Sequence, residues 1–401
     1  MIAVARHDVA RPPADDRIPA DDTWVLVTDD GRVLGDVWID DAERRRAALG
    51  PVPVTSLDEL VRRHVAEALA AREAERDDAP AHGLPDPASV TVAVCTRDRS
   101  ELLAGCLASM ARLDPAPGEV LVVDNAPSDD STRDVALAAG VRHVVEPRPG
   151  LNRARERARR EARGEVVAYV DDDARPEPSF VAGLVRGFLD PSVGAVTGLV
   201  VAHELATPAQ VAFERSGGMR KGVVTQVFTP GSVGPQAFRL GVGTAMAFRR
   251  EALDAIGGFD PRIGVGTPSR GGGDFEALWR VLESGRDVVY EPDAVVAHIH
   301  RRTHAALVAQ HRDNGVAYAS FLRRLELDGR ARAARVELLR WHLRRHLVGP
   351  IAALAHGRRL EARLLVAEAR GSLSAERGIG PRPAPGGGAT AAAGGPGAGP
   401  A

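Results

Sequence analysis

Asp171, Asp172 and Asp173 stand side by side, directly after Val166-Val167-Ala168-Tyr169-Val170. Three adjacent carboxylates repel one another unless a cation sits among them, and hard oxygen ligands suit Mg2+ or Mn2+. Taken alone, such a triplet is more often a solvated acidic turn ahead of a helix. Its setting changes the weighting. Five residues suited to a buried strand run straight into it, and open α/β sheets bind ligands at the carboxyl ends of their strands. Asp98 and Asp124 follow predicted strands in the same way, after Val90 to Cys95 and Glu119 to Val123. In a parallel sheet these acids line one rim. There Asp98 and Asp124 can accept hydrogen bonds from a base and a ribose, while Asp171 and Asp173 can hold a cation on a diphosphate. The segment Gly150-Leu151-Asn152-Arg153-Ala154-Arg155 opens a helix with arginines, whose fixed fork of donors suits phosphate or carbonyl groups.

The positioning elements read as alternating strands and helices from Ser89 onward, which argues for α/β architecture with mostly parallel strand order. Helices are expected over Ser100 to Ala111, with Ser100 as N-cap, and over Ser131 to Ala139, Asn152 to Ala162, Ser179 to Leu189 and Asp274 to Ser284. Further strands are expected at Val141 to Val145, Ala195 to Val201, Gly241 to Arg250, Val288 to Tyr290 and Val295 to His298. His203 to Leu240 reads as a less regular, mobile stretch.

Five segments follow from these patterns. Residues 1–76 form a small α+β unit, in which 1–22 read as a loose polar arm. Trp24 to Thr28 and Val33 to Ile39 form a hairpin around Asp30-Gly31, and Ser56-Leu57-Asp58-Glu59 has the capping-box pattern. A linker spans 77–88, the main α/β domain 89–304 and a helical extension 305–376. A Gly/Ala/Pro tail, 377–401, has no means of building a core and is expected to be disordered. Between Arg323 and Arg370 twelve arginines face five acids, interleaved with Leu and Val. That suits either a solvated helical face or peripheral membrane contact through basic helices.

Composition narrows the function classes. A formal charge of −2 gives no reason to expect a nucleic-acid partner. Lys221 is the only lysine, a coding bias toward arginine rather than a signal. Cys95 and Cys106 fall in a predicted strand and helix, as small buried hydrophobes with no disulfide framework. No apolar run approaches the ~18 residues of a membrane span, and Arg6, Asp8 and Arg11 interrupt what a signal peptide would keep apolar. These features predict a cytoplasmic protein, or one peripheral at the inner face of the membrane.

Four pieces in order, Thr91 to Arg99 (TVAVCTRDR), Val122 to Thr132 (VVDNAPSDDST), Gly150 to Arg155 and the acidic triplet, resemble the family 2 glycosyltransferases of GT-A fold. The resemblance spans roughly residues 89 to 300. It implies a GT-A-type sheet flanked by helices and inverting transfer from a nucleotide-diphospho-sugar donor, with a lean to uridine. The acceptor is undefined: a glycan, a lipid-linked molecule or a small molecule. It implies that Thr96, Asp98 and Asp124 contact the nucleoside and that Arg155 reaches the base. Asp171 and Asp173 become the ends of a D-x-D motif, with Asp173 the first metal ligand and Asp172 facing ribose or phosphate. Gly273-Asp274-Phe275-Glu276 aligns with a stretch that in this family usually begins with two acids. Here the first is Gly273, and Asp274 keeps the place of the catalytic base. A carboxylate facing the leaving diphosphate suits inversion on its own chemistry, and its plain structural role would be a helix cap. His298, on one strand face with His300, takes the place of a third metal ligand, although a lone histidine is more often structural. The rival readings are a sugar nucleotidyltransferase, a non-catalytic nucleotide-sugar or glycan binder, and, more remotely, a metallohydrolase. The first expects a Gly-rich loop with Arg and Lys where Thr96-Arg97-Asp98-Arg99-Ser100 stands.

Overall fold

The computed structural model describes residues 1–49, 54–75 and 85–375. Most of the expected linker and the whole 377–401 tail lie outside them. Twelve strands are described: β1 (Ala3–Asp8), β2 (Thr23–Asp29), β3 (Arg32–Ile39), β4 (Val90–Thr96), β5 (Glu119–Asn125), β6 (Arg142–Glu146), β7 (Val166–Asp171), β8 (Ala174–Pro176), β9 (Val193–Ala202), β10 (Gln226–Phe228), β11 (Ala245–Arg249) and β12 (Asp287–His298). β1, β2 and β3 make a small sheet. The other nine make the main sheet, in the order β10-β12-β9-β11-β7-β4-β5-β6, with β8 on β12.

β4, β5, β6, β7, β9 and β12 run in one direction. β11 is inserted antiparallel between β7 and β9, and β10 and β8 pair antiparallel with β12. The apolar runs VVAYV and VTVAV arise because both sheet faces are covered, so each strand is buried on both sides. Helices Ser100–Met110 and Phe180–Gly187 cover one face through Leu103, Cys106, Leu107, Phe180 and Leu184. Helices Leu151–Glu161 and Gly273–Glu283 cover the other through Ala154, Ala158, Ala277, Leu278 and Val281. The α/β sheet with flanking helices and a helical C-terminal region is the architecture expected.

Several local expectations need correction. Residues 1–22 are not a loose arm, since β1 pairs in parallel with β2 from Ala3↔Thr23 to Asp8↔Thr28. The hairpin is present and turns through Asp30 and Gly31, at φ 49° and 77°, the double positive φ of a tight hairpin turn. Ser56 caps the helix Leu57–His64 by accepting from the Glu59 amide, at 3.1 Å. Ser100 is the first residue of its helix rather than the cap. The stretch from His203 to Leu240 contains the helix Pro208–Arg215, closed by a Thr207/Gln210 capping box, and strand β10. The two short strands expected between Val288 and His298 are one strand, β12, whose register with β9 shifts between Glu291 and Val295.

The N-terminal unit is docked on the main sheet. Its two hairpin strands carry apolar side chains on both faces. Val25, Val27, Leu34 and Val37 face the unit's own helices, while Trp24, Leu26 and Val33 join the core that includes Leu199, Val201, Phe228 and Tyr290. Asp293, buried at the bend of β12, accepts from the Val33 amide at 2.7 Å and from Arg32 at 3.1 Å, with Arg186 at 2.5 Å on the same carboxylate.

The C-terminal extension begins with helix His304–Leu325 and breaks at Asp328 and Gly329, the latter at φ 85°. A helical run then covers Ala331–Trp341, a π-type stretch His342–Val348 and Gly349–Ala355, and helix Arg359–Leu373 follows. The wider π turns precede Pro350, which has no amide to return to a helical carbonyl. Helices His304–Leu325 and Arg359–Leu373 cross at glycines. A Cβ on Gly315 would lie 2.0 Å from the Glu368 carbonyl oxygen, and one on Gly371 1.9 Å from that of Arg312. The extension is pinned to the main domain where buried Arg324 donates to Asp260, at 2.9 Å, and to Asp328, at 3.2 Å.

Candidate active site

The carboxyl ends of β4, β5, β7 and β12 and the start of β11 meet at one edge of the sheet. Thr96 is paired with Asp124 across β4 and β5, and Cys95 with Asp171 across β4 and β7. The Thr96 hydroxyl donates to Asp172 at 2.7 Å. Asp171 accepts from the Thr244 hydroxyl at 2.7 Å, and the amide of Gly243 donates to Asp274 at 2.8 Å. Two consecutive residues before β11 therefore tie Asp274 to the acidic triplet. The acids of the sequence reading, spread from Asp98 to Asp274, gather on this edge.

Arg99 lies across the triplet, 2.6 Å from Asp172 and 2.8 Å from Asp173 Oδ2. The other Asp173 oxygen, Oδ1, faces His298 Nε2 at 3.2 Å. The Ile299 amide donates to the Asp173 carbonyl at 2.9 Å, which holds the end of β12 against the triplet. Burial pulls the Asp173 carboxyl upward, but His298 and Arg99 outweigh it and hold the group well below the usual carboxylate range. Burial prevails at Asp172 and pushes it up to about 6 despite Arg99.

Asp171, Asp173 and His298 each offer a ligand atom, and these atoms lie within 4.8 Å of one another. Two carboxylates and an imidazole suit Mn2+ or Mg2+. The network behind His298 supports the fit. His298 Nδ1 meets His300 Nδ1 at 3.2 Å, and His300 Nε2 meets Glu214 at 3.0 Å, with all three side chains buried. Two neutral imidazoles carry two N–H groups for three contacts. In the metal-free chain His298 Nε2 meets the Asp173 carboxylate as a donor; with a cation in place of that proton, His300 donating to Glu214 and His298 Nδ1–H donating to His300 would leave Nε2 as the ligand lone pair.

Asp124 is buried, and His143 donates to its Oδ2 at 3.2 Å, while Oδ1 has no hydrogen-bond partner. Burial raises the Asp124 pKa against the opposing pull of His143. Asp98 differs. It sits exposed at φ 52° and accepts from both the amide and the hydroxyl of Ser128, at 2.8 and 2.9 Å, which ties the loop after β4 to the loop after β5.

Arg155 is buried on the Asp274 side of the edge. Its Nη2 and the Asp274 carboxylate lie 2.8 and 3.0 Å from the point a Gly243 Cβ would occupy. Asp274 is the second residue of its helix, and the cap is Gly272 in the left-handed region, so a capping role does not account for Asp274. Glu276 is committed elsewhere, in a buried ion pair with Arg280 at 2.6 Å. The missing family acid has a physical counterpart, because a Cβ on Gly273 would sit 2.3 Å from Asn152 Nδ2, an amide that also donates to the Asp260 carbonyl. Residues absent from the sequence reading of the site are Arg99, Thr244, Asn152 and Glu214. Arg99 and Asn152 lay within quoted motifs, but neither was given a role.

Residues 91–257 match the family model described as glycosyl transferase family 2. That segment belongs to glycosyl transferase family 2. The family 2 match carries Thr96, Asp124, Arg155 and the acidic triplet, whereas Asp274 and His298 lie beyond its end. A pre-mycofactocin glycosyltransferase of Mycobacterium tuberculosis (strain ATCC 25618 / H37Rv) is 27% identical over 225 residues, 54% of this chain and 44% of the relative. An N-acetylglucosaminyltransferase of Sinorhizobium fredii (strain NBRC 101917 / NGR234) is 27% identical over 233 residues, 55% of each chain. The chain thus spans about half the length of these curated relatives. Among solved structures, a mannosyltransferase from Pyrobaculum calidifontis in complex with GDP-Man and Mn2+ aligns with a TM-score of 0.48 at 22% identity. That alignment covers 79% of this chain and 97% of the other. The glucosyl-3-phosphoglycerate synthase of Mycobacterium tuberculosis, in complex with Mn2+, UDP and glucosyl-3-phosphoglycerate, gives a TM-score of 0.37 at 20% identity, over 57% of this chain and 77% of that one.

Proposed function

We propose that this family 2 protein is an inverting glycosyltransferase that moves a sugar from a nucleoside-diphosphate sugar, UDP-type favoured, to an acceptor hydroxyl. The observation that carries the reading is the grouping of Asp171, Asp173 and His298 around one point, with Asp274 tied to the same edge through Gly243 and Thr244. Asp171, Asp173 and His298 would hold Mn2+ or Mg2+, with His298 binding through Nε2. When bound, the cation neutralises charge on the departing diphosphate. Asp124, whose buried Oδ1 lacks a partner, accepts from the base or ribose, beside Thr96 and Asp98. Arg99 holds Asp172 and Asp173 in place and offsets the charge of the triplet. On the other side, Asp274 takes the acceptor's proton. The acceptor oxygen then bonds to the anomeric carbon as its bond to the diphosphate oxygen breaks, and the diphosphate leaves with the electron pair. Arg155 lies beside Asp274 on that side of the edge.

The test is calorimetry with UDP, with and without Mn2+, alongside release of UDP from a panel of UDP-sugars. Asp173→Ala should remove the Mn2+-dependent part of nucleotide binding. Asp274→Ala should bind UDP and Mn2+ as the parent does and release no UDP. Undiminished nucleotide affinity in Asp173→Ala would remove the metal assignment, and turnover surviving Asp274→Ala would remove the base. Binding without turnover in the parent, across the panel, would point to a non-catalytic nucleotide-sugar binder.

A further inference from the structure

None of the described helices is long and apolar enough to cross a membrane, yet one helical run carries an apolar stripe on its outer side. Along 331–355 the inner face is Ala334, Glu337, Trp341, Pro350 and Ala353, all buried. The outer face repeats Val336, Leu339, Leu343, Leu347, Ile351 and Leu354 at intervals of three and four residues, each between 48% and 64% exposed. Scattered exposed leucines are ordinary on a soluble surface, but a stripe about 27 Å long on one helix side is not.

The charges beside the stripe say what fits it. The run holds five arginines, Arg332, Arg335, Arg340, Arg344 and Arg345, and a single acid, Glu337, which is buried and paired with Arg340 at 3.0 Å. Arg335 and Arg345 are held at the sides by Glu326 and Glu368. Arg332 and Arg344 flank the stripe with no ion pair to any described residue. Where the stripe begins, a hollow of about 630 Å³ is lined by Arg330, Arg332, Val336 and Arg340.

We infer that this face lies in the surface of an anionic lipid bilayer, with the six aliphatic side chains in the acyl boundary and the arginines at the phosphates. A second copy of the chain fits poorly, because a two-fold contact along the stripe would set arginines against arginines with no exposed acid on the run to meet them. The last residues of the chain, 376–401, contribute one large aliphatic side chain, Ile379, and cannot cover six. The inference stands apart from the transferase reading. Its bearing on that reading is local: Glu337, on the inner face, accepts from Gln236 at 3.3 Å, and the turn that follows, Ala237–Arg239, packs against the helix bearing Asp274.

The experiment is co-sedimentation of the full chain with vesicles of phosphatidylcholine alone and of phosphatidylcholine mixed with phosphatidylglycerol, across a salt series. The parent chain should partition to the mixed vesicles and be progressively released by salt. Leu343→Glu/Leu347→Glu, at positions exposed in the fold, should lower partitioning at least tenfold with an unchanged melting temperature. Arg332→Gln and Arg344→Gln should each lower it about fivefold. A parent chain that ignores both vesicle types overturns the inference. So does a leucine variant that binds as the parent does, or a stripe-dependent dimer in light scattering.

Discussion

His298 is useful to a cation only if its Nε2 is kept free of a proton, and the side chain that arranges this is one residue removed. His300 spans His298 and Glu214, so its tautomer sets that of its neighbour. Replacing His300 by Gln should therefore lower Mn2+ affinity by about 10- to 100-fold, read by Mn2+ titration in electron paramagnetic resonance without nucleotide, while UDP binding in the absence of metal stays unchanged. Gly273 supports a second expectation. Restoring the family's acid with Gly273→Glu should not raise activity, because Asn152 already occupies the space. The melting temperature should fall, by the equivalent of about 1–3 kcal/mol, and removing the amide as well, in Gly273→Glu/Asn152→Gly, should recover part of it. The carboxylates of this site were readable in the sequence because each follows an apolar strand. Arg99 was not readable as a ligand of the triplet, since its partner Asp173 is 74 positions away and no local spacing encodes the pairing. Thr244 and Glu214 escaped for the same reason: a hydroxyl and a buried carboxylate acquire a role only through what the fold brings opposite them.

Strands were legible wherever both sheet faces are covered, since burial on two sides writes an unbroken apolar run. β12 was read as two pieces because Glu291, Pro292 and Asp293 interrupt that run. In the folded chain this polar insert is the register shift, and Asp293 uses it to grip the N-terminal unit. The helix Pro208–Arg215 carries a capping signature, Thr207 with Gln210, that was passed over among the surrounding glycines. Two later helices depend on glycines that no periodicity explains. Gly315 and Gly371 let the backbones of His304–Leu325 and Arg359–Leu373 touch. A single methyl in Gly315→Ala must push the helices apart, and we expect a loss of about 1–3 kcal/mol, seen as a lower melting temperature and faster proteolysis of the extension, with little change in Mn2+ binding.

For the molecule as a whole, acid should be the weak side. Burial alone would raise the Glu368 carboxyl, but His311 and His346, 3.8 and 3.9 Å away, and the Arg345 guanidinium, bonded at 2.8 Å, hold it below its ordinary value of 4.5. Asp260, held by Arg262 and Arg324, is depressed in the same sense. A carboxyl depressed by folding contributes stability that is complete above its unfolded value and disappears as pH falls through the folded one. The melting temperature should therefore be flat near neutrality and drop by several degrees between about pH 4.5 and pH 3, and Glu368→Gln should lower the plateau while flattening the acid limb. The N-terminal unit was read as an independent piece because the hairpin, helix and linker pattern is that of a separate module. The run Trp24-Val25-Leu26-Val27 already held the contrary sign, being apolar on both faces and so needing a cover on each.

That double-sided hairpin has a practical corollary for anyone trimming the chain. A polypeptide started at residue 89 keeps every proposed catalytic side chain, yet strips the lid from Leu199, Val201 and Tyr290 and takes Arg32 and the Val33 amide away from Asp293. Such a fragment is expected to clump during purification rather than behave as a smaller enzyme, and adding back residues 1–76 as a separate peptide should return it to solution.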